Sequence, residues 1–145
     1  MVKALILMDV SRRTVVVFIV LLLMAHIFAV FFGWYSSSLV DFLLHFLGGI
    51  WSALFFGLLY KHFISTHLHD HFSEKIKMLL IIISFASLLG IGWEFHEFIL
   101  SEYFPAYLQE DMWQVMNSLL VTIIGGGFGG WLIIYRKADS KDNIV

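Results

Sequence analysis

Four long apolar runs, joined by short polar linkers of alternating character, constrain this chain more than any single motif. The runs lie at about 14–34, 39–60, 78–100 and 113–135, and each meets the roughly 20 residues needed to cross about 30 Å of hydrocarbon. In that solvent a segment must satisfy its own backbone hydrogen bonds, so each run is expected to be a helix. The single proline, Pro105, falls in a linker and interrupts none of them. The expected fold is all-α, a four-helix transmembrane bundle forming one integral membrane domain over residues 1–145.

The linkers orient the bundle. All nine Lys and Arg residues fall in three stretches: Lys3, Arg12 and Arg13 before the first run, Lys61, Lys75 and Lys77 between the second and third, and Arg136, Lys137 and Lys141 after the fourth. The linkers Tyr35 to Val40 and Ser101 to Glu110 contain none. Basic residues near span ends stay on the cytoplasmic side, so both termini are expected in the cytoplasm of a multi-pass plasma-membrane protein. The first run is too long for a signal-peptide core and ends in Gly33, Trp34 and Tyr35 rather than a small-x-small cleavage site, so it reads as a retained span.

Composition agrees, since 60% hydrophobic and 14% charged residues leave too little polar surface for a soluble particle of 145 residues. A net charge of −2, with basic residues confined to the membrane flanks, makes no electrostatic case for nucleic acid. The absence of cysteine excludes disulfides and thiolate chemistry. Trp34, Tyr35, Tyr60, Trp93, Tyr103, Tyr107, Trp113 and Tyr135 stand near span ends, where amphipathic rings prefer the headgroup level.

Small residues recur at four-residue spacing: Gly49, Ala53 and Gly57, then Ala86 and Gly90, then Gly125 with Gly129 and Gly126 with Gly130. That spacing lets helix backbones approach closely in a bilayer. The run from Gly125 to Gly130 is denser than simple packing requires, which leaves a locally unwound fourth helix open. It lacks the strand-turn-helix setting of a phosphate loop.

The chemistry lies in the exceptions to the apolar pattern, because an ionisable side chain within a span needs a partner or a task. Asp41 and His45 are four apart, about 40° from each other around a helix, and Gly48 and Ser52 continue their stripe. Glu94 and Glu97 are three apart, with Ser84, Ser87, Gly90 and Ser101 extending their face. Glu110, Asp111, Gln114, Asn117 and Ser118 open the fourth span. Six of the eleven acidic residues, Asp41, Glu94, Glu97, Glu102, Glu110 and Asp111, lie toward the outer side, where no Lys or Arg balances them. Glu94 stands roughly 9 Å inside the end of its span.

Three remedies are open: raised carboxyl pKa values, a charged His45 or His96, or a bound cation. Asp41, His45, Glu94 and Glu97 are the candidate catalytic residues, and His45, Glu94, Glu97 and Asp111 the candidate ligands of a divalent cation, a hard-oxygen and imidazole set. Asn117, Gln114 and His96 would complete the polar pocket. The same residues also make a hydrogen-bonded knot between helices, with His45 donating to a glutamate and Asn117 capping the network.

Asp41-x-x-x-His45-Phe46 opening a span, Trp93-Glu94-Phe95-His96-Glu97 near the end of the next, and an acidic entry with Asn117 to a Gly-rich last span resemble the VanZ-like and YjdF-like small membrane proteins. The resemblance covers roughly Asp41 to Gly130. It implies a four-span bundle in a bacterial plasma membrane and, for VanZ-like members, an association with glycopeptide resistance and the cell envelope.

Two other features carry less. His62, His67, His69, Asp70 and His71 in the inner linker fall one residue short of a His-x-His-x-Asp-His metal pattern and read as a solvated turn open to adventitious metal binding. His26, in the first span, reads as a histidine hydrogen-bonded inside the bundle, or as an inward extension of a proton path if it faces Ser84 or Ser87. The expected function is action on envelope lipids or lipid-linked intermediates at an outward-facing pocket. A small cation- or proton-coupled transporter or channel, assembled as a homo-oligomer, is the alternative, and an accessory subunit bound to a membrane partner is a third.

Overall fold

The computed structural model describes residues 11–34, 38–63, 72–103 and 112–135, and these form four helices with no strand among them. They are α1 Arg12–Phe31, α2 Ser38–Phe63, α3 Phe72–Tyr103 and α4 Met112–Tyr135. All four are long and apolar enough to cross a membrane, so the chain is a multi-pass membrane protein. Side chains such as Leu21, Ile27, Leu88 and Ile124 stand exposed on the outer faces, as lipid contact requires.

Local chemistry sets the ends of α1. Ser11 caps its start, accepting the Thr14 backbone N–H at 3.0 Å. The helix stops at Phe31, earlier than the apolar run that extends to Trp34, because Gly33 takes the left-handed conformation at φ 67°. The Phe32 N–H then bonds the Phe28 carbonyl at 2.9 Å and the Gly33 N–H bonds that of Val30 at 3.1 Å, which closes the C-terminus. At the other extreme, α3 runs 32 residues, about 48 Å at 1.5 Å per residue, and so projects beyond the hydrocarbon.

Direction alternates along the chain, so Arg12, Lys75 and Lys77 share one end of the bundle and Asp41 and Glu97 lie toward the other. We call these the basic and the acidic end. The helices α2 and α4 run parallel in constant register: Asp41 meets Ser118 and His45 meets Thr122, each pair 77 residues apart. This is the most extensive helix contact in the bundle. It depends on absent side chains. A Cβ on Gly49 would fall on the Thr122 carbonyl oxygen, and one on Gly125 would fall on the Phe46 carbonyl oxygen.

The dense glycine run of α4 is fully helical, and its density has a packing cause. Gly125 and Gly129 face α2, where a Cβ on Gly129 would come within 2.8 Å of the Ala53 Cβ. Gly126 and Gly130 face antiparallel α3, where an added Cβ would come within 2.5 Å of the Ala86 Cβ and 3.0 Å of the Ile82 side chain. A helix approached closely on two sides needs two small-residue stripes, and neighbouring stripes put glycines side by side in sequence.

Toward the basic end the bundle is filled by Ala53, Tyr60, Met78, Ile82, Ile133 and Ile134. Nearer the acidic end a smaller cluster of Leu22, Ala29 and Leu44 joins α1 to α2. The α1 helix is clipped on by Trp51, whose indole N–H donates to the Val15 carbonyl at 3.0 Å.

Candidate functional site

The constant α2–α4 register and the antiparallel placement of α3 bring side chains from three helices to one point inside the acidic end. Asp41 occupies the first turn of α2, where the exposed N–H groups favour an anion. His45 follows one turn later and is 4% exposed, while Asp41 is 5% exposed. From α3, Glu94 and Glu97 point to the same place from successive turns. Around the imidazole Nε2 lie Asp41 Oδ1 at 3.4 Å, Glu94 Oε1 at 3.5 Å and Glu97 Oε2 at 3.9 Å. Glu94 stands nine residues before the end of α3 at Tyr103, roughly 13 Å below it.

The fourth helix supplies the hydroxyls that orient this group. Ser118 Oγ, fully buried, donates to Asp41 Oδ2 at 3.0 Å. Thr122 donates its hydroxyl proton to the Ser118 carbonyl at 3.0 Å, so at its 3.1 Å contact with His45 Nδ1 it can only accept. His45 therefore carries its proton on Nδ1 and turns Nε2 toward the carboxylates. Neither Nε2 nor Asp41 Oδ1 has a hydrogen-bond partner among the described residues.

Charge balance is the central physical fact here. Three carboxylates surround one imidazole, and every described Lys or Arg belongs to the basic end. Even a fully charged His45 leaves a surplus of negative charge in a poorly solvated place. Protons or a cation must supply the difference. Chemically, such a group can hold a divalent ion, share protons among its carboxyls, or draw a proton from water or a hydroxyl.

The structure thus brings together Asp41, His45, Glu94 and Glu97. On α4, Gln114 is exposed one turn before Ser118 on the same face, Asn117 is half-buried on the neighbouring face, and Ser118 and Thr122 bond Asp41 and His45. His96 is exposed on α3, and Asp111 lies outside the described residues, as do His67, His69, Asp70 and His71. The hydroxyls of Ser84, Ser87 and Ser101 bond carbonyls of their own helix.

His26 of α1 joins the site, which a reading of one helix at a time did not assign. It is 5% exposed, its Nδ1 stands 4.0 Å from Glu97 Oε1, and its ring meets Trp93 edge-on with centroids 4.6 Å apart. It turns to Glu97 rather than to Ser84 or Ser87. A depth count would have found it: measured from Arg13 and from Lys61, His26 and His45 stand roughly 20 and 24 Å in. A cavity of about 130 Å³ lies against His26, His45, Ser52 and Thr122 and is otherwise lined by apolar side chains, including Leu22, Leu44, Trp51 and Trp93.

Compared with protein-family models, with curated proteins and with solved structures, the chain finds no match in any of the three.

Proposed function

We propose that this chain is a plasma-membrane protein of the VanZ-like or YjdF-like type whose acidic end faces outward and acts on envelope lipids or lipid-linked intermediates. Asp41, His45, Glu94 and Glu97 are its working residues. The observation that carries this reading is the convergence of His45 with three carboxylates, drawn from two helices and oriented by a third. An arrangement so unfavourable in a bilayer calls for a task. The confinement of basic residues to the other end supports the orientation, with both termini cytoplasmic.

The cavity beside His45 supports a lipid substrate. Its volume of about 130 Å³ is near that of an engineered apolar site that takes benzene, and it suits the apolar segment next to a headgroup held at the carboxylates. In this arrangement His45 and the carboxylates hold the headgroup, and Thr122 holds the imidazole. A transporter, by contrast, needs polar groups through the whole crossing, and the cluster of Met78, Ile82, Ile133 and Ile134 fills the basic-end half.

The test is a lipid profile. Protein in nanodiscs is incubated with an extract of bacterial envelope lipids, which is then compared by mass spectrometry for wild type, His45→Ala and Glu94→Gln. A lipid species retained or altered by wild type alone supports the proposal. Identical profiles from wild type and from helical, folded variants overturn it.

A further inference from the structure

We infer that His45, Glu94 and Glu97 hold one divalent transition ion of the zinc class, with the imidazole bound through Nε2 and Asp41 beside it. The first support is distance. A charged N–H bonded to a carboxylate comes to about 2.7–2.9 Å, yet the three oxygens stand 3.4, 3.5 and 3.9 Å from Nε2. A tetrahedral ion with bonds of about 2.1 Å spreads its ligand atoms roughly 3.4 Å apart. Ligand atoms of His45, Glu94 and Glu97 all lie within 4.8 Å of one another.

The second support is the imidazole itself. Thr122 holds Nδ1 as the N–H donor, so the neutral imidazole presents its lone pair at Nε2, and that atom is buried without a hydrogen-bond partner. A donor nitrogen held among carboxylate oxygens makes a mixed ligand set that suits a cation. A dipositive ion also offsets the negative charge of the carboxylates crowded about Nε2. Mixed nitrogen and oxygen ligands at near-tetrahedral spacing suit zinc better than magnesium, which demands an octahedral shell and keeps several waters.

The surroundings complete the pattern of a metal centre. Thr122 backs His45, Ser118 donates to the far oxygen of Asp41, and His26 stands at 4.0 Å from Glu97. Such outer partners hold ligands in the orientation that binding needs.

The ion would occupy the site proposed to act on lipid, so the inference rests on that reading, and the two fail separately. The experiment uses the full chain carrying His67→Ala, His69→Ala and His71→Ala, which removes linker imidazoles capable of adventitious binding. Metal-stripped protein in detergent is titrated with zinc and, for its visible spectrum, with cobalt(II). One ion per chain is expected, with the intense absorption bands of tetrahedral cobalt. Thr122→Val should weaken binding about 10–100-fold, and His45→Ala and Glu94→Gln by more than that, with loss of the bands. Failure to bind one ion, or affinity unchanged in the isosteric Glu94→Gln and Thr122→Val proteins, overturns the inference. Lipid conversion by metal-stripped protein likewise sinks the metal and spares the function, whereas zinc binding with unaltered lipid profiles does the reverse.

Discussion

The two halves of the bundle are built from the same helices in the same register, yet they solve opposite problems. Toward the basic end, Ala53, Ile82 and Ile133 are almost wholly buried and every local choice favours close packing. Toward the acidic end, that same register presses Asp41, His45, Ser118 and Thr122 together and adds two glutamates from α3. Packing is cooperative in the first half. In the second it holds like charges together against their repulsion. The contrast is what supports the proposed site, because a protein tolerates such conflict where the conflict is useful.

Substitutions can break or sharpen this contrast, and the largest effect is expected where both halves depend on one contact. Gly49→Leu or Gly125→Leu would drive a side chain into the backbone of the facing helix, and overpacking of even flexible neighbours costs about 1–3 kcal/mol. Against rigid backbone the loss should exceed that range, and helical content in detergent should melt at markedly lower temperature.

Ile82→Ala tests the basic-end half alone. In a soluble core the change costs roughly 2–5 kcal/mol, but here the separated helix remains in lipid, so mainly the cavity term survives. A loss of about 2 kcal/mol, read by denaturation in mixed micelles, is expected, with the zinc titration unchanged.

Glu94→Gln should move the other way. In metal-free protein, removing one of three crowded negative charges is expected to stabilise by about 1 kcal/mol. A loss of stability instead would show that Glu94 serves the fold and would erase the distinction between the halves. The smallest effect belongs to Thr122→Val, which removes one interhelical hydrogen bond at about 0.6 kcal/mol. Its mark should be on metal affinity rather than on the melting curve.

Much of this was legible in the chain before folding. The i, i+4 spacing of Asp41 and His45 and the i, i+3 spacing of Glu94 and Glu97 place each pair on one helix face whatever surrounds it. The glycine stripes likewise marked the interfaces, although the doubling in α4 made sense only once α2 and α3 were seen on its two sides. Asn117 drew attention because an amide is strongly polar. Yet Ser118, one residue on, and Thr122 are the groups that reach Asp41 and His45, because the positions facing α2 run 118, 122, 125 and 129.

Length, apolarity and the placement of lysine and arginine determined how many times the chain crosses and at which depth each ionisable group lies. Those quantities run along the helix axis, where the bilayer itself acts as the ruler. Rotation about that axis has no such ruler, since lipid surrounds every helix equally. Only the meeting of backbones at Gly49 and Gly125 decided which faces turn inward, and with them the pairing of Thr122 with His45 and of His26 with Glu97.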